Sequence, residues 1–218
     1  MDIIGVIFNL SGTMICDREL HAEAWRLCIE DLIMRDISNN DVRIYIEGKD
    51  SRGILEHFLG TGLSETMILQ FQEEKDRIYR NMVIDEHPRP VPGLTGFLDY
   101  LSKASIPMAI VTTQPVRNVN LLFDEYELFR WFDWDHVIMM SDGIVRTPHR
   151  MLYTQAAKQL QVTPGHCLCF ASLPDEIKSA YDAGILNITL LTDRPLTSEE
   201  EKLPGIIKTI RDFTDLKM

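Results

Sequence analysis

Cysteine is scarce in this chain, and basic charge is scarcer than acidic. The four cysteines, Cys16, Cys28, Cys167 and Cys169, are too few among 218 residues for a disulfide scaffold and lack the spacing of a zinc site. A reducing cytoplasm is therefore the expected compartment. Lys and Arg number 22 against 33 Asp and Glu, a formal charge of −11, and no Lys/Arg run offers a local basic face. Neither a nucleic acid nor an anionic membrane is expected as a partner, because a polyanion is repelled at long range. Long apolar runs are missing as well. The opening stretch IIGVIFNL is only a strand's length, follows Asp2 rather than basic residues and precedes no small-residue cleavage site. It reads as a buried strand, not as a signal or a membrane span. Glycine and proline, 12 and 10, are too few for a fibrous or disordered chain, and there is no internal repeat or low-complexity tract.

What is present is an ordinary globular balance, 45% hydrophobic and 25% charged. Four short, turn-bounded apolar runs follow the first: IPMAIVT, HVIMM, CLCFA and ITLL. Between them lie segments with apolar residues at spacings of three and four: GLTGFLDYLSKA, VRNVNLLFDEYEL, HRMLYTQAAKQL and DEIKSAYDAG. Strands alternating with helices predict a parallel sheet covered on both faces, a Rossmann-like α/β fold. Cys167 and Cys169, two apart in one strand, point to the same face and are expected in its core. The alternation breaks after the first strand, where ELHAEAWRLCIEDLIM, SRGILEHFLG and SETMILQFQEEKDRIYRNMV all keep a helical period. HPRPVPG then gives a stiff re-entry. The expected division is a sheet domain of residues 1–15 and 86–218 with an α-helical insert at 16–85.

Several landmarks then occur in order: FNLSGT from Phe8 to Thr13, HAEAW from His21 to Trp25, GKDSRGIL from Gly48 to Leu55, PVPG from Pro90 to Gly93, AIVTT, and CLCFASLPDEIKSAYDAGI. With them the chain resembles the haloacid dehalogenase superfamily, in the branch of β-phosphoglucomutase and the phosphoglycolate-type phosphatases, with a helical cap inserted after the first strand. The resemblance implies phosphoryl transfer. An aspartate of the family's FDxDGT motif attacks phosphorus, a second protonates the leaving oxygen, a lysine neutralises charge and further carboxylates hold magnesium.

Five positions at which the family carries charge are neutral here. Asn9 matches the nucleophile, Ser11 the acid/base, Thr147 the lysine, and Ala171 and Ser172 the magnesium-binding acids. The implied outcome is a protein without the family's catalysis and with its magnesium site lost, so no cofactor is expected. Parts of the implied ligand pocket remain. Thr112, with Thr113 beside it, matches the phosphate-binding hydroxyl, Thr13 the motif threonine, and backbone N–H groups around Gly12 are expected to form an anion nest. His21 and Arg52 match cap residues of the mutase-like branch that face the cleft, and Arg146 and His149 flank the lost lysine. Glu176, four residues after Ser172, is the best case for a rescued metal ligand, but a lone acid opposite neutral Asn9 would hold magnesium only weakly, so its expected role, with Asp175 beside it, is in the first turn of the following helix, where acids favour the dipole. Trp25, Trp131 and Trp134 are expected to pack, and SEEEK near Ser198 to be a solvated helix start.

Three functions are compatible with these residues. One is a silent relative that binds a small anion, a phosphorylated metabolite or a protein partner. Another is an enzyme of altered chemistry built on His21 or His149, and the third is a scaffold.

Overall fold

A computed structural model describes residues 2–140 and 149–216. In chain order the elements are β1 (Gly5–Asn9), α1 (Arg18–Ile33), α2 (Asn39–Asp41), α3 (Ser51–Leu59), α4 (Glu65–Glu86), α5 (Leu94–Lys103), β2 (Met108–Thr112), α6 (Val116–Glu125), β3 (Val137–Met139), α7 (His149–Gln159), β4 (Cys167–Ala171), α8 (Pro174–Asp182), β5 (Asn187–Leu191) and β6 (Ile206–Ile210). Two compact units result: Met1–Cys16 with Arg89–Met218, and Asp17–Pro88.

The first unit is built on a six-stranded sheet in the order β3-β2-β1-β4-β5-β6. All neighbours are parallel. β1 and β2 are buried along their whole length, as continuous apolar strands covered on both faces must be. One face carries Ile7, Val111, Cys167, Cys169 and Ile188 and packs against Leu152, Tyr153 and Ala156 of α7 and Ile177 of α8. Cys167 and Cys169 share this face, as their spacing predicts, and burial pushes the Cys167 thiol up to about 11. The other face is aromatic. Register sets Phe8 beside Phe170, and the two rings stack with centroids 5.2 Å apart. Phe97 of α5 and Phe132 meet Phe8 edge-on, and Phe213 closes the group. Each buried ring contributes about 1.5–3 kcal/mol through lost water contact, and each such pair about 0.5–1.5 kcal/mol more. Gly93 starts α5 with φ of 78°, and a Cβ there would lie 2.7 Å from the Thr214 nitrogen, so only glycine fits.

Asp17–Pro88 is helical. Trp25, Ile29, Ile37, Ile46, Ile54, Leu55 and Ile68 form its core. Asp50 caps α3 by accepting from the Gly53 N–H, and Ser64 caps α4 by accepting from the Met67 N–H. The buried stripe of α4 is Ile68, Lys75, Tyr79 and Val83, so a lysine occupies an otherwise largely apolar row.

Some expectations need correction. β6 is not among the apolar runs of the sequence, because IIKTI is an edge strand whose middle three residues are exposed. SEEEK is not wholly solvated: Glu200 is buried, and Arg194, donating to both carboxylate oxygens, lowers its pKa to about 2. The tryptophans do pack. Trp25 lies in the helical core, Trp131 donates its ring N–H to Asp99 at 2.7 Å, and Trp134, though 44% exposed, meets Phe123 in a T-shaped contact at 5.2 Å.

Candidate functional site

The strand order reverses between β1 and β4, and in an open α/β sheet ligands enter at the carboxyl ends of strands beside such a reversal. β1 ends on Asn9, 4% exposed. Its amide is committed on both sides: Nδ2 donates to the Phe170 carbonyl at 3.1 Å, and Oδ1 accepts from the Tyr153 hydroxyl at 2.8 Å. One side chain thus ties β1 to β4 and to α7. An asparagine suits this place because it carries a donor and an acceptor together, whereas an ionised carboxylate would face the Phe170 carbonyl with a second acceptor. Burial holds the Tyr153 pKa well above its ordinary value, so the hydroxyl stays protonated and donates.

Past Asn9 the chain makes a tight turn through Gly12, φ 67°. The N–H groups of Thr13, Met14 and Ile15 converge on the Leu10 carbonyl, and that of Gly12 reaches the Ile15 carbonyl at 2.8 Å. These four N–H groups of the expected anion nest are therefore used inside the turn. Beside it, β2 ends on Thr112, whose hydroxyl accepts from the Gln114 N–H at 3.1 Å, while Gln114 Nε2 donates to the Ser11 hydroxyl. Thr113 between them is exposed. Gln114 Oε1 and Thr13 Oγ1 are buried with no hydrogen-bond partner. β4 ends on Ala171, which offers no side-chain ligand, and Ser172. Glu176 turns back to accept from the N–H groups of Ser172 at 2.9 Å and Leu173 at 3.0 Å, closing the first turn of α8. Asp175 is exposed and pairs with Lys178, and His149 is exposed at the start of α7. Arg146 and Thr147 lie outside the described residues.

The helical unit holds its two expected site residues in different surroundings. Arg52 is ion-paired to Glu56 at 3.1 Å and to Glu65. His21 belongs to a buried cluster. Its Nδ1 lies 2.8 Å from Lys75 Nζ, its Nε2 lies 3.5 Å from Asp17, and its ring stacks on Tyr79 at 3.9 Å. Tyr79 donates to Asp17 at 2.6 Å, and Lys75 also meets Asp76 at 3.0 Å. Burial, and then the neighbouring Lys75 charge, lower the His21 pKa, so the ring is a neutral acceptor at Nδ1. Burial lowers Lys75 too. A shallow hollow of about 240 Å³ lies elsewhere in this unit, lined by Tyr45, Lys49, Asp50, Gly53 and His57.

Sequence reasoning passed over Tyr153, Gln114 and Lys75. Lys75 was findable, as a charged residue on the apolar stripe of α4; Tyr153 and Gln114 gave no signal beyond an ordinary helix and loop. Among the described residues no group of three or more His, Cys, Asp or Glu is placed to hold a metal ion. Asn9 is engaged with Tyr153, Ala171 has no donor atom and Glu176 is engaged with backbone N–H groups, so the described strand ends do not fit a magnesium ion held by acids. No helix among the described residues is long and apolar enough to cross a membrane.

A sequence model of the haloacid dehalogenase-like hydrolases matches residues 4–184. The protein CbbY of Rhodobacter capsulatus is 24% identical, over 85% of this chain and 84% of its own length. A phosphorylated carbohydrates phosphatase of Thermotoga maritima is also 24% identical, over 84% of this chain and 82% of its own. Among solved structures, a family IA, variant 3 hydrolase from Entamoeba histolytica superposes with a TM-score of 0.90 at 26% identity, covering 100% of this chain and 96% of that one.

Proposed function

The chain belongs to the haloacid dehalogenase-like hydrolase family, and from that membership we propose that it is a catalytically silent member, a pseudophosphatase kept for binding rather than for phosphoryl transfer. The observation that carries this reading is the commitment of the Asn9 amide. At the position that the FDxDGT resemblance gives to the nucleophile, Oδ1 accepts from Tyr153 and Nδ2 is held by Phe170. An amide is a far poorer nucleophile than a carboxylate, and here its oxygen is already used inside the fold. Loss of a nucleophile alone costs about 10⁴-fold or more in rate, and loss of its partners adds little because they act as a unit. Ser11 has no useful titration near neutral pH, so proton delivery to a leaving oxygen has no source at that position.

The names of the relatives favour a second reading, a phosphatase of phosphorylated carbohydrates with a divergent site. A small anion, a phosphorylated metabolite or a protein are among the partners open to a silent protein of this family. Phosphate release from a panel of phosphate monoesters with magnesium separates the two readings. The expected result is no release above that of Asn9→Ala; turnover that disappears with Asn9→Ala refutes the silent reading.

A further inference from the structure

Resting on that silent reading, we propose that the strand ends of the sheet unit bind an uncharged polyhydroxylated molecule, a free polyol or sugar, in preference to its phosphate ester. Charge comes first. From Asn9 to Thr13, from Thr112 to Gln114 and from Ala171 to Leu173, no side chain is ionisable near neutral pH. The nearby acid Glu176 is turned onto the Ser172 and Leu173 N–H groups. A phosphate would therefore meet no cation among these residues.

Donors come second. A phosphate dianion only accepts hydrogen bonds, yet the N–H groups of Gly12, Thr13, Met14 and Ile15 are donated within their own turn. Those of Gln114, Ser172 and Leu173 are donated to side chains. Two side-chain oxygens are left over. Gln114 Oε1 and Thr13 Oγ1 are buried without a partner in residues only 7% and 0% exposed. Buried polar atoms are nearly always satisfied, so each such atom marks a place for a missing partner. Both lie on loops that leave adjacent parallel strands, with Asn9 opposite Val111, and the Gln114–Ser11 bond joins the loops.

The partner that fits is a hydroxyl. It donates to the Gln114 oxygen, and if the amide is rotated by half a turn it accepts from the nitrogen instead. At Thr13 it pairs with another hydroxyl in either sense. A carboxylate or phosphate can only accept and so cannot serve the Gln114 oxygen as it is placed, while an ammonium could donate to both atoms but would bring a charge that no acid among these residues balances. Several hydroxyls on one molecule can serve both orphaned atoms.

The test uses the full chain without added metal. Sorbitol, D-glucose, their 6-phosphates and inorganic phosphate are titrated by calorimetry and by thermal shift. The neutral compounds are expected to bind in the millimolar range and at least about tenfold more tightly than the esters. At about ten times the dissociation constant they should raise Tm by roughly 3–5 °C. Gln114→Met and Thr13→Val remove the orphaned atoms at similar volume, and each should weaken polyol binding about tenfold. If one variant fails to fold by circular dichroism, the other decides. Tighter binding of an ester or of phosphate, binding by none of the compounds, or full affinity in the folded variants overturns the inference. The first two outcomes leave the silent reading intact, whereas ester turnover with magnesium overturns that reading by itself.

Discussion

Changing Asn9 to Ala removes two buried hydrogen bonds and leaves both former partners behind. The Tyr153 hydroxyl and the Phe170 carbonyl would remain buried without the contacts they make at 2.8 Å and 3.1 Å. An orphaned buried polar group costs about 1–3 kcal/mol, so the expected loss for the two is about 2–6 kcal/mol. For a domain of this size that corresponds to a Tm drop of roughly 5–15 °C. Tyr153→Phe removes one of the two bonds and should cost about 1–2 kcal/mol. The double variant should then fall short of the sum by about 0.5 kcal/mol or more, because the two side chains share a bond.

Asn9→Asp adds a test in pH. The introduced carboxyl is buried opposite a carbonyl, so its folded pKa rises above the unfolded value of about 3.9. A raised acid binds more protons in the folded state, so the variant loses stability relative to the parent as pH climbs from about 4 to the folded pKa, and the deficit is constant above it. Urea denaturation followed by circular dichroism, repeated at several pH values, measures all of these quantities. Residues retained for chemistry usually cost stability, and their removal is often neutral or favourable. If Asn9→Ala proves as stable as the parent, Asn9 is not a structural tie and the central observation behind the silent reading fails.

Glu176→Ala should cost about 1 kcal/mol through the lost closure of α8, and magnesium should shift the Tm of neither parent nor variant; a magnesium shift confined to the parent would mean that Glu176 is a metal ligand. The helical unit should weaken in acid. His21, with Asp17, Lys75, Asp76 and Tyr79 around it, has a folded pKa below the unfolded value of about 6.5. Its contribution is therefore complete above about pH 6.5 and is lost as pH falls from there toward the folded value. Hydrogen exchange of peptides from residues 17–88 between pH 7 and 5 should show this opening in the parent and a flatter dependence in His21→Gln; equal slopes would remove His21 from the account.

The sheet was legible because its strands obey a simple rule. GVIFN and MAIVT are apolar up to their last residue, a pattern that burial on both faces of a parallel sheet calls for. IIKTI escaped because an edge strand needs no continuous apolar run. The site was legible only in outline. The sequence locates Asn9, Ser11, Thr13 and Thr112 at strand ends, but it carries no trace of where an amide points. That Asn9 reaches Tyr153, 144 positions away along the chain, depends on α7 crossing back over the sheet. Glu176 shows the opposite case. An acid three residues after a helix start can reach the free N–H groups ahead of it, and local rules alone gave that role.

Polar residues are buried in the two units by different means. At the ends of β1, β2 and β4 the buried polar side chains among the described residues are uncharged, and Asn9 meets its needs with one donor and one acceptor. The helical unit buries charge itself. Lys75 stands on the inner row of α4 with its ammonium 2.8 Å from His21 and 3.0 Å from Asp76, above the rings of Trp25 and Tyr79. Stability alone does not call for a lysine there, since an apolar side chain of like size often serves a buried position as well or better. The lysine is tolerated because each neighbour needs it: His21 is an acceptor while neutral, and Asp17 and Asp76 supply the opposing charge. A fold that keeps such a cluster must keep all of it, because removing one member leaves the others buried without compensation.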